Sequence, residues 1–157
     1  MEIKQLQENF AQPGEITFIG VRPKRGDDVL PVNKVMAIEG QGLEGDHYQH
    51  HNGTRQVTLI QQEHLNNVAS FLGKSEIDPS LPRRNIVVKG INLLALKGKQ
   101  FQIGEAILEY SGECHPCSRM ERILGTGGYN AMRGHGGITA KIIKGGVICV
   151  GDFIRSN

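Results

Sequence analysis

The sequence Gly112-Glu113-Cys114-His115-Pro116-Cys117-Ser118-Arg119-Met120-Glu121 is the most informative stretch of this chain. Residues Phe101 to Tyr110 before it have the pattern of a strand, and Ser118 to Leu124 after it have the pattern of a helix start. A thiol at such a junction faces the helix N-terminus, where backbone N–H groups and the helix dipole favour the thiolate. Arg119 adds a positive charge nearby. The stretch therefore predicts a reactive or metal-binding thiol.

Outward from this stretch, short alternating and β-branched segments predict about eight strands. One helix is predicted over Gln62 to Leu72, where apolar residues recur at helical spacing. Short strands joined by glycine-rich turns, without regular βαβ alternation, favour a mostly β barrel or sandwich. The predicted strands are Glu15–Val21, Val32–Glu39, Arg55–Gln61, Ile86–Lys89, the hairpin Gln100–Ile103 and Ala106–Tyr110, Ile138–Ile143, Val147–Val150 and Phe153–Ile154.

The composition is that of a single globular domain. The 157 residues, with 38% hydrophobic and 22% charged side chains, are enough for one core. We predict an N-terminal arm over residues 1–14 and one domain over residues 15–157. A net charge of +2 is too small to indicate a nucleic-acid partner.

The sequence also predicts a cytoplasmic protein that does not bind membranes. No stretch approaches the ~18 apolar residues of a membrane span, and Met1 to Gln12 lacks the pattern of a signal peptide. Three cysteines without a secretory signal indicate reduced thiols. Cys149, in an apolar strand, is predicted to be a buried and inert side chain.

The Cys114 and Cys117 pair fits more than one chemistry. Cys-x-x-Cys at a helix start is typical of thioredoxin-like redox pairs, although those occur in a βαβ context. It is also half of a zinc site, which needs four ligands, and His115 and His135 are candidates to complete it. His47, His50 and His51 are further possible metal ligands, but their spacing is more typical of histidines in a surface loop.

Basic residues and glycines in the second half of the chain suggest an anion site near a thiolate. Arg83, Arg84, Arg119 and Arg133 supply positive charge, and glycine-rich backbone can present N–H groups to an anion. Together with a thiolate, which suits soft metals, this combination predicts a phosphate-bearing ligand. The alternative is that these arginines are scattered surface charges.

In their order along the chain, several short motifs resemble the MOSC domain family, named for the molybdenum cofactor sulfurase C-terminal domain, and most closely its small stand-alone bacterial members. The resemblance runs from about Ile16 to Ile154. The motifs are Gly42-Leu43-Glu44-Gly45-Asp46-His47, Arg55-Gln56-Val57-Thr58-Leu59-Ile60, Arg84-Asn85-Ile86-Val87 with Gly90-Ile91, Cys114-His115-Pro116-Cys117-Ser118-Arg119, and Gly151-Asp152.

The resemblance implies a closed, mostly β, barrel-like fold with a few short helices, and one essential cysteine, here Cys117. In the family this thiol carries sulfur or ligates the molybdenum of bound molybdopterin cofactor. Basic residues of the family hold the pterin phosphate, and Arg84, Asn85 and Arg119 stand at matching or nearby positions. To these we add Arg133 and His135, from the glycine-rich stretch.

Two chemistries follow from the resemblance: reduction of N-hydroxylated compounds, or sulfur transfer. The chain has no aminotransferase-like desulfurase domain, so it would be independent of pyridoxal phosphate and need a sulfur donor protein. It has no ferredoxin-like domain, so reduction would need a redox partner. Cys114 is an additional thiol, either resolving a persulfide on Cys117 or a bystander. The alternatives are a non-enzymatic cofactor carrier and a small zinc-stabilised β domain.

Overall fold

Among residues 1–47 and 52–157, which the computed structural model describes, seven strands close into a barrel. The strands of the chain are β1 (Gly14–Val21), β2 (Leu30–Val32), β3 (Lys34–Ile38), β4 (Gly42–Leu43), β5 (Val57–Gln61), β6 (Ile86–Lys89), β7 (Gln100–Ile103), β8 (Ala106–Glu113), β9 (Ile138–Lys144), β10 (Gly146–Cys149) and β11 (Phe153–Ser156). The helices are α1 (Ile3–Leu6), α2 (Gln62–Phe71), α3 (Ser118–Leu124) and α4 (Gly128–Met132), with a 3₁₀ turn at Leu93–Leu96.

The barrel order is β11-β7-β8-β9-β5-β6-β1, and the pairing of β1 with β11 closes it. β2 extends the sheet beyond β1, and β10, β3 and β4 form a separate three-stranded sheet. All barrel pairings are antiparallel except β5 with β6, which is parallel. A parallel pair needs a crossover, and here α2 lies within it. The predicted mostly β, closed barrel-like fold with a few short helices is therefore confirmed.

Strand β5 is buried on both faces, and its apolar side chains are divided between two clusters. Val57 and Leu59 belong to the barrel interior, whereas Ile60 belongs to a second cluster outside the barrel. Successive side chains of a strand point to opposite faces, so one short strand serves both cores. The outer cluster holds α2, α3 and α4 against the barrel through Leu65, Val68, Met120, Leu124, Ala131 and Met132. The thiol stretch is thereby attached to the barrel wall.

Two segments differ from their predicted structure. The single strand expected over Val32–Glu39 is split into β2 and β3, which lie in different sheets. The glycine-rich segment after residue 124 contains α4, although glycine disfavours helices. The Glu121 carboxylate compensates by accepting hydrogen bonds from the backbone N–H groups of Gly127 and Tyr129, both at 2.9 Å. These bonds lower the pKa of Glu121.

Cys149 is half-buried, not buried as predicted. It lies on β10 in the three-stranded sheet, where the neighbouring Ile148 is the residue that packs into the core. The prediction placed Cys149 on the buried face of the strand, whereas the buried face carries Ile148. Within residues 1–47 and 52–157, no helix is long and apolar enough to cross a membrane.

Candidate functional site

The loop between β8 and α3, residues 114–117, carries two thiols in different environments. Cys117 occupies the N-cap position of α3 and is exposed, whereas Cys114 is buried with 4% of its surface accessible. All three cysteines lie in the described ranges and are free thiols. The buried Met120 and Leu124 attach α3 to the barrel, so Cys117 is held at the solvent side of a packed helix. The predicted strand-to-helix junction is thus confirmed.

Backbone contacts fix the position of Cys114. Its N–H donates to the carbonyl of Gly137 at 2.8 Å. A Cβ atom on Gly136 would lie 1.9 Å from the Cys114 carbonyl oxygen, so only glycine permits this approach. Nη2 of Arg55 donates to the Cys114 Sγ at 3.8 Å. The predicted glycine-rich segment 134–137 therefore supports the thiol loop from the side.

Arg84 places a buried cation against the backbone of the thiol loop. Its Nε donates to the Gly136 carbonyl at 2.7 Å and its Nη1 to the Pro82 carbonyl at 2.9 Å. A longer contact of 3.5 Å joins Nη2 to the Cys114 carbonyl. No carboxylate in residues 1–47 or 52–157 forms an ion pair with it. Burial lowers the pKa of Arg84, and the charges of Cys114 and Cys117 oppose that shift.

A second group of guanidinium side chains lies next to Arg84. Arg83 has an unusual positive φ of 64°, and its buried Nε has no hydrogen-bond partner in the described part of the chain. Burial lowers the pKa of Arg83, and the like charges of Arg22 and Arg119 add to the shift. Arg22 donates from Nη1 to the Arg83 carbonyl at 3.2 Å. Buried Asp46 holds Arg22 by an ion pair of 3.4 Å.

Arg22 and Arg55 are site residues that sequence reasoning missed. From the sequence, Arg55 was placed only at the start of a predicted strand and of a family motif, and Arg22 was assigned no role. The motif that begins at Arg55 was the available signal for that residue. The sequence separation between Arg55 and Cys114, and between Arg22 and Arg83, gave no indication of their contacts.

Asn85 is buried and spans the barrel wall. Its Oδ1 accepts hydrogen bonds from the N–H and the hydroxyl of Thr58, both at 3.1 Å. Its Nδ2 donates to the Gly20 carbonyl at 3.1 Å. These bonds connect the start of β6 to β5 and β1, and so they hold the neighbouring Arg84 in place. A direct contact of Asn85 with a cofactor remains a prediction.

His135 lies against α2, on the far side of the glycine-rich segment. Its ring contacts the ring of His64 at a centroid distance of 4.6 Å and that of Phe71 at 5.5 Å. Its Nδ1 lies 2.9 Å from the carbonyl of Arg133, which is itself exposed. Burial lowers the pKa of His64, and the charge of His135 lowers it further.

A small cavity lies between His64 and the thiol loop. Its volume is about 20 Å³, and its walls include His64, Leu93, Cys114, His115, Pro116 and Gly136. That volume is sufficient for about one water-sized molecule. Cys114 and His64 therefore share a confined space.

The described residues contain no group of three or more His, Cys, Asp or Glu side chains that could hold a metal ion. Of the loop histidines, His47 is described, and its Nδ1 lies 3.1 Å from the Arg22 carbonyl; His50 and His51 lie outside the described residues. Cys117 is instead a single accessible sulfur. One protein sulfur is sufficient for a metal that a cofactor already holds, so this donor set fits a molybdenum cofactor better than a four-ligand zinc ion.

Comparisons with known proteins place the chain among related folds. The sequence model of the MOSC domain matches residues 46–155. The YuaD protein from Bacillus subtilis has a similar structure, with a TM-score of 0.79 and 20% identity over 91% of this chain and 94% of that one. YiiM from Geobacillus stearothermophilus is similar with a TM-score of 0.74 and 19% sequence identity, and the match covers 92% of this chain and 75% of that one. YiiM from Escherichia coli has a TM-score of 0.68 and 20% sequence identity, and the match covers 91% of this chain and 69% of that one. No curated protein matches this sequence.

Proposed function

The chain belongs to the MOSC domain family, and from that premise we propose that it binds molybdopterin cofactor, with Cys117 as the protein's sulfur ligand to molybdenum, and reduces N-hydroxylated compounds. The observation that carries this proposal is an exposed thiol, Cys117, in the same four-residue loop as Cys114, whose carbonyl contacts the buried guanidinium of Arg84. Arg84 has no carboxylate partner in residues 1–47 and 52–157. The thiol supplies a soft ligand, and the guanidinium supplies charge for a phosphate.

Each site residue has a task in this proposal. Arg84 and Arg119 attract the cofactor phosphate, because a guanidinium can donate two parallel hydrogen bonds to it. Asn85 keeps Arg84 in position through its bonds to Thr58 and Gly20. Arg133 and His135 border the other side of the glycine-rich segment. When bound, the cofactor supplies the redox chemistry that converts an N–OH bond to N–H, with electrons from a separate redox partner.

Molybdenum and pterin analysis tests the proposal. We would purify the wild type, Cys117→Ser and Cys149→Ser from cells that make molybdenum cofactor. Wild type and Cys149→Ser, which changes a half-buried thiol on β10, should retain molybdenum and fluorescent pterin. Cys117→Ser should lose molybdenum and all reductase activity. Equal molybdenum content and activity in Cys117→Ser would refute the assignment of the ligand.

The same samples separate the proposal from its alternatives. Bound cofactor without reduction of any N-hydroxylated compound would indicate a carrier module. Stoichiometric zinc, with unfolding on addition of a chelator, would indicate a zinc-stabilised domain.

Sulfur transfer to the cofactor of another enzyme is the second candidate function, with Cys117 as persulfide carrier. It is favoured by one specific observation, a second free thiol, Cys114, in the same four-residue loop as Cys117. Sulfane sulfur on Cys117 after incubation with a sulfur donor protein, in a protein without molybdenum, would support this function.

A further inference from the structure

The order of the two thiols is the opposite of what a helix-start redox pair would lead one to expect. The exposed thiol, Cys117, comes second and lies at the N-cap of α3, and the buried thiol, Cys114, comes first. A reagent from solution therefore meets Cys117, and Cys114 reacts only with a group that Cys117 brings to it. This arrangement separates a loading thiol from a protected one.

The surroundings of Cys114 differ from those of an inert buried cysteine, which packs among apolar side chains. The Arg55 guanidinium donates to its Sγ at 3.8 Å, and Arg84 holds its carbonyl. Neither arginine has an ion-pair partner in the described ranges 1–47 and 52–157. Two cations without carboxylate partners therefore lie against Cys114, one at its sulfur and one at its carbonyl.

The connecting residues allow the two thiols to meet. Cα atoms three residues apart are at most about 11 Å apart, and a disulfide needs about 6 Å. Residues 114–117 belong to no helix or strand. Both thiols therefore lie in one four-residue loop, and a disulfide between them requires a rearrangement of that loop.

We infer that Cys114 is a resolving thiol for a persulfide carried on Cys117. This inference rests on the sulfur-transfer candidate for the same site. The Cys114 thiolate attacks the inner sulfur of the Cys117 persulfide, and a Cys114–Cys117 disulfide forms as the bond to the outer sulfur breaks. The outer sulfur leaves with the electron pair and its hydrogen as hydrosulfide, so the two cysteines are oxidised and the sulfane sulfur is reduced. A cellular dithiol then reduces the disulfide.

The experiment loads the metal-free 157-residue chain with inorganic polysulfide, removes the excess, and follows hydrosulfide release. Alkylation and peptide mass spectrometry then locate persulfide and disulfide. Wild type and Cys149→Ser should release hydrosulfide and contain the Cys114–Cys117 disulfide. Cys114→Ser and Cys114→Ala should keep the persulfide on Cys117 at least about tenfold longer, and Cys117→Ser should acquire none.

Persulfide that disappears equally fast in wild type and both Cys114 variants, or a disulfide to Cys149, would overturn the inference. Thermal unfolding of the two Cys114 variants verifies that they are folded, and the smaller alanine variant serves if serine destabilises the buried position. The assay contains neither molybdenum nor pterin. Failure of this inference is therefore distinguishable from failure of cofactor binding, which the molybdenum analysis reports separately.

Discussion

Arg84 shows how one side chain joins stability and function at this site. Its guanidinium is buried and binds three carbonyl groups, those of Pro82, Cys114 and Gly136. Neutral carbonyls satisfy its N–H groups but leave its charge uncompensated by any carboxylate in residues 1–47 and 52–157. Burying a cation in this way is costly. We interpret that cost as the consequence of preparing the site for an anionic ligand.

Replacing Arg84 by Met should lower the free energy of unfolding by about 3 kcal/mol, because buried carbonyl groups lose their donors. Arg84→Lys retains a charge but not the planar set of donors, and we expect a smaller loss of stability. Urea unfolding of the two variants measures the difference. A stability of Arg84→Met equal to that of the wild type would show that these hydrogen bonds contribute nothing net.

His64 should make stability depend on pH. Burial and the charge of His135 lower its pKa in the folded protein, with Glu63 opposing. The unfolded chain therefore binds the proton more readily, and stability should fall as the pH drops below the ordinary value of 6.5. His64→Gln should flatten that decline. Urea unfolding between pH 7.5 and 5 measures it, with the exposed His115→Gln as control; a slope unchanged in His64→Gln would contradict the assignment.

At the scale of elements, the site is a contact between two loops. The loop of residues 114–117 rests on the glycine-rich turn at 136–137, and each is tied to a barrel strand, β8 on one side and β9 on the other. These strands pair along their length, up to Glu113 with Ile138. The pairing brings the two loops to the same end of the barrel. Glycine at position 136 then allows their backbones to touch.

Gly136→Ala should destabilise the protein by about 2 kcal/mol, since the added methyl would lie 1.9 Å from the Cys114 carbonyl oxygen. It should also expose Cys114 to alkylating reagents. Gly112→Ala is a matched control, because its Cβ would be 3.4 Å from the nearest atom, the Thr139 hydroxyl oxygen. Thiol labelling and thermal unfolding of both variants test this. Equal stability and labelling in the two variants would contradict the proposed contact.

For the whole molecule, closure of the barrel joins distant parts of the chain. β11, near the C-terminus, pairs with both β1 and β7. Ile154 on β11 is fully buried in the interior, and the adjacent Phe153 is 53% exposed. The same strand therefore has one side chain in the core and one at the surface, as the period of two in a strand requires.

Ile154→Ala should lower the free energy of unfolding by about 3 kcal/mol, because it leaves a cavity at the closing strand. Phe153→Ala, one residue earlier, should lower the free energy of unfolding by less than about 1 kcal/mol. The Phe153 ring is exposed, and its contact with the Arg155 guanidinium at 5.4 Å is a weak one at the surface. Chemical denaturation of the two variants provides the comparison. Similar losses for both would indicate that β11 does not close the core.

The sequence by itself determined most of the elements and the loop that carries two thiols. Alternating or β-branched residues marked β1, β5 and β6, helical spacing marked α2, and the junction before α3 marked the stretch with Cys114 and Cys117, of which the family resemblance singled out Cys117. These features depend on residues close together in the chain, and periodicity records them directly. Strand patterns alone did not distinguish a barrel from a sandwich. The resemblance to the MOSC domain family predicted the closed barrel.

Only the tertiary structure decided which side chains share the site. The parallel pairing of β5 with β6 and the closure through β11 set the distances between segments far apart in sequence. For that reason the burial of Arg84, the contact of Arg55 with Cys114 and the approach of Arg22 to Arg83 were not predictable. The same holds for α4, which is capped by Glu121 across a turn. Local patterns carry no record of such contacts, because packing and strand order create them.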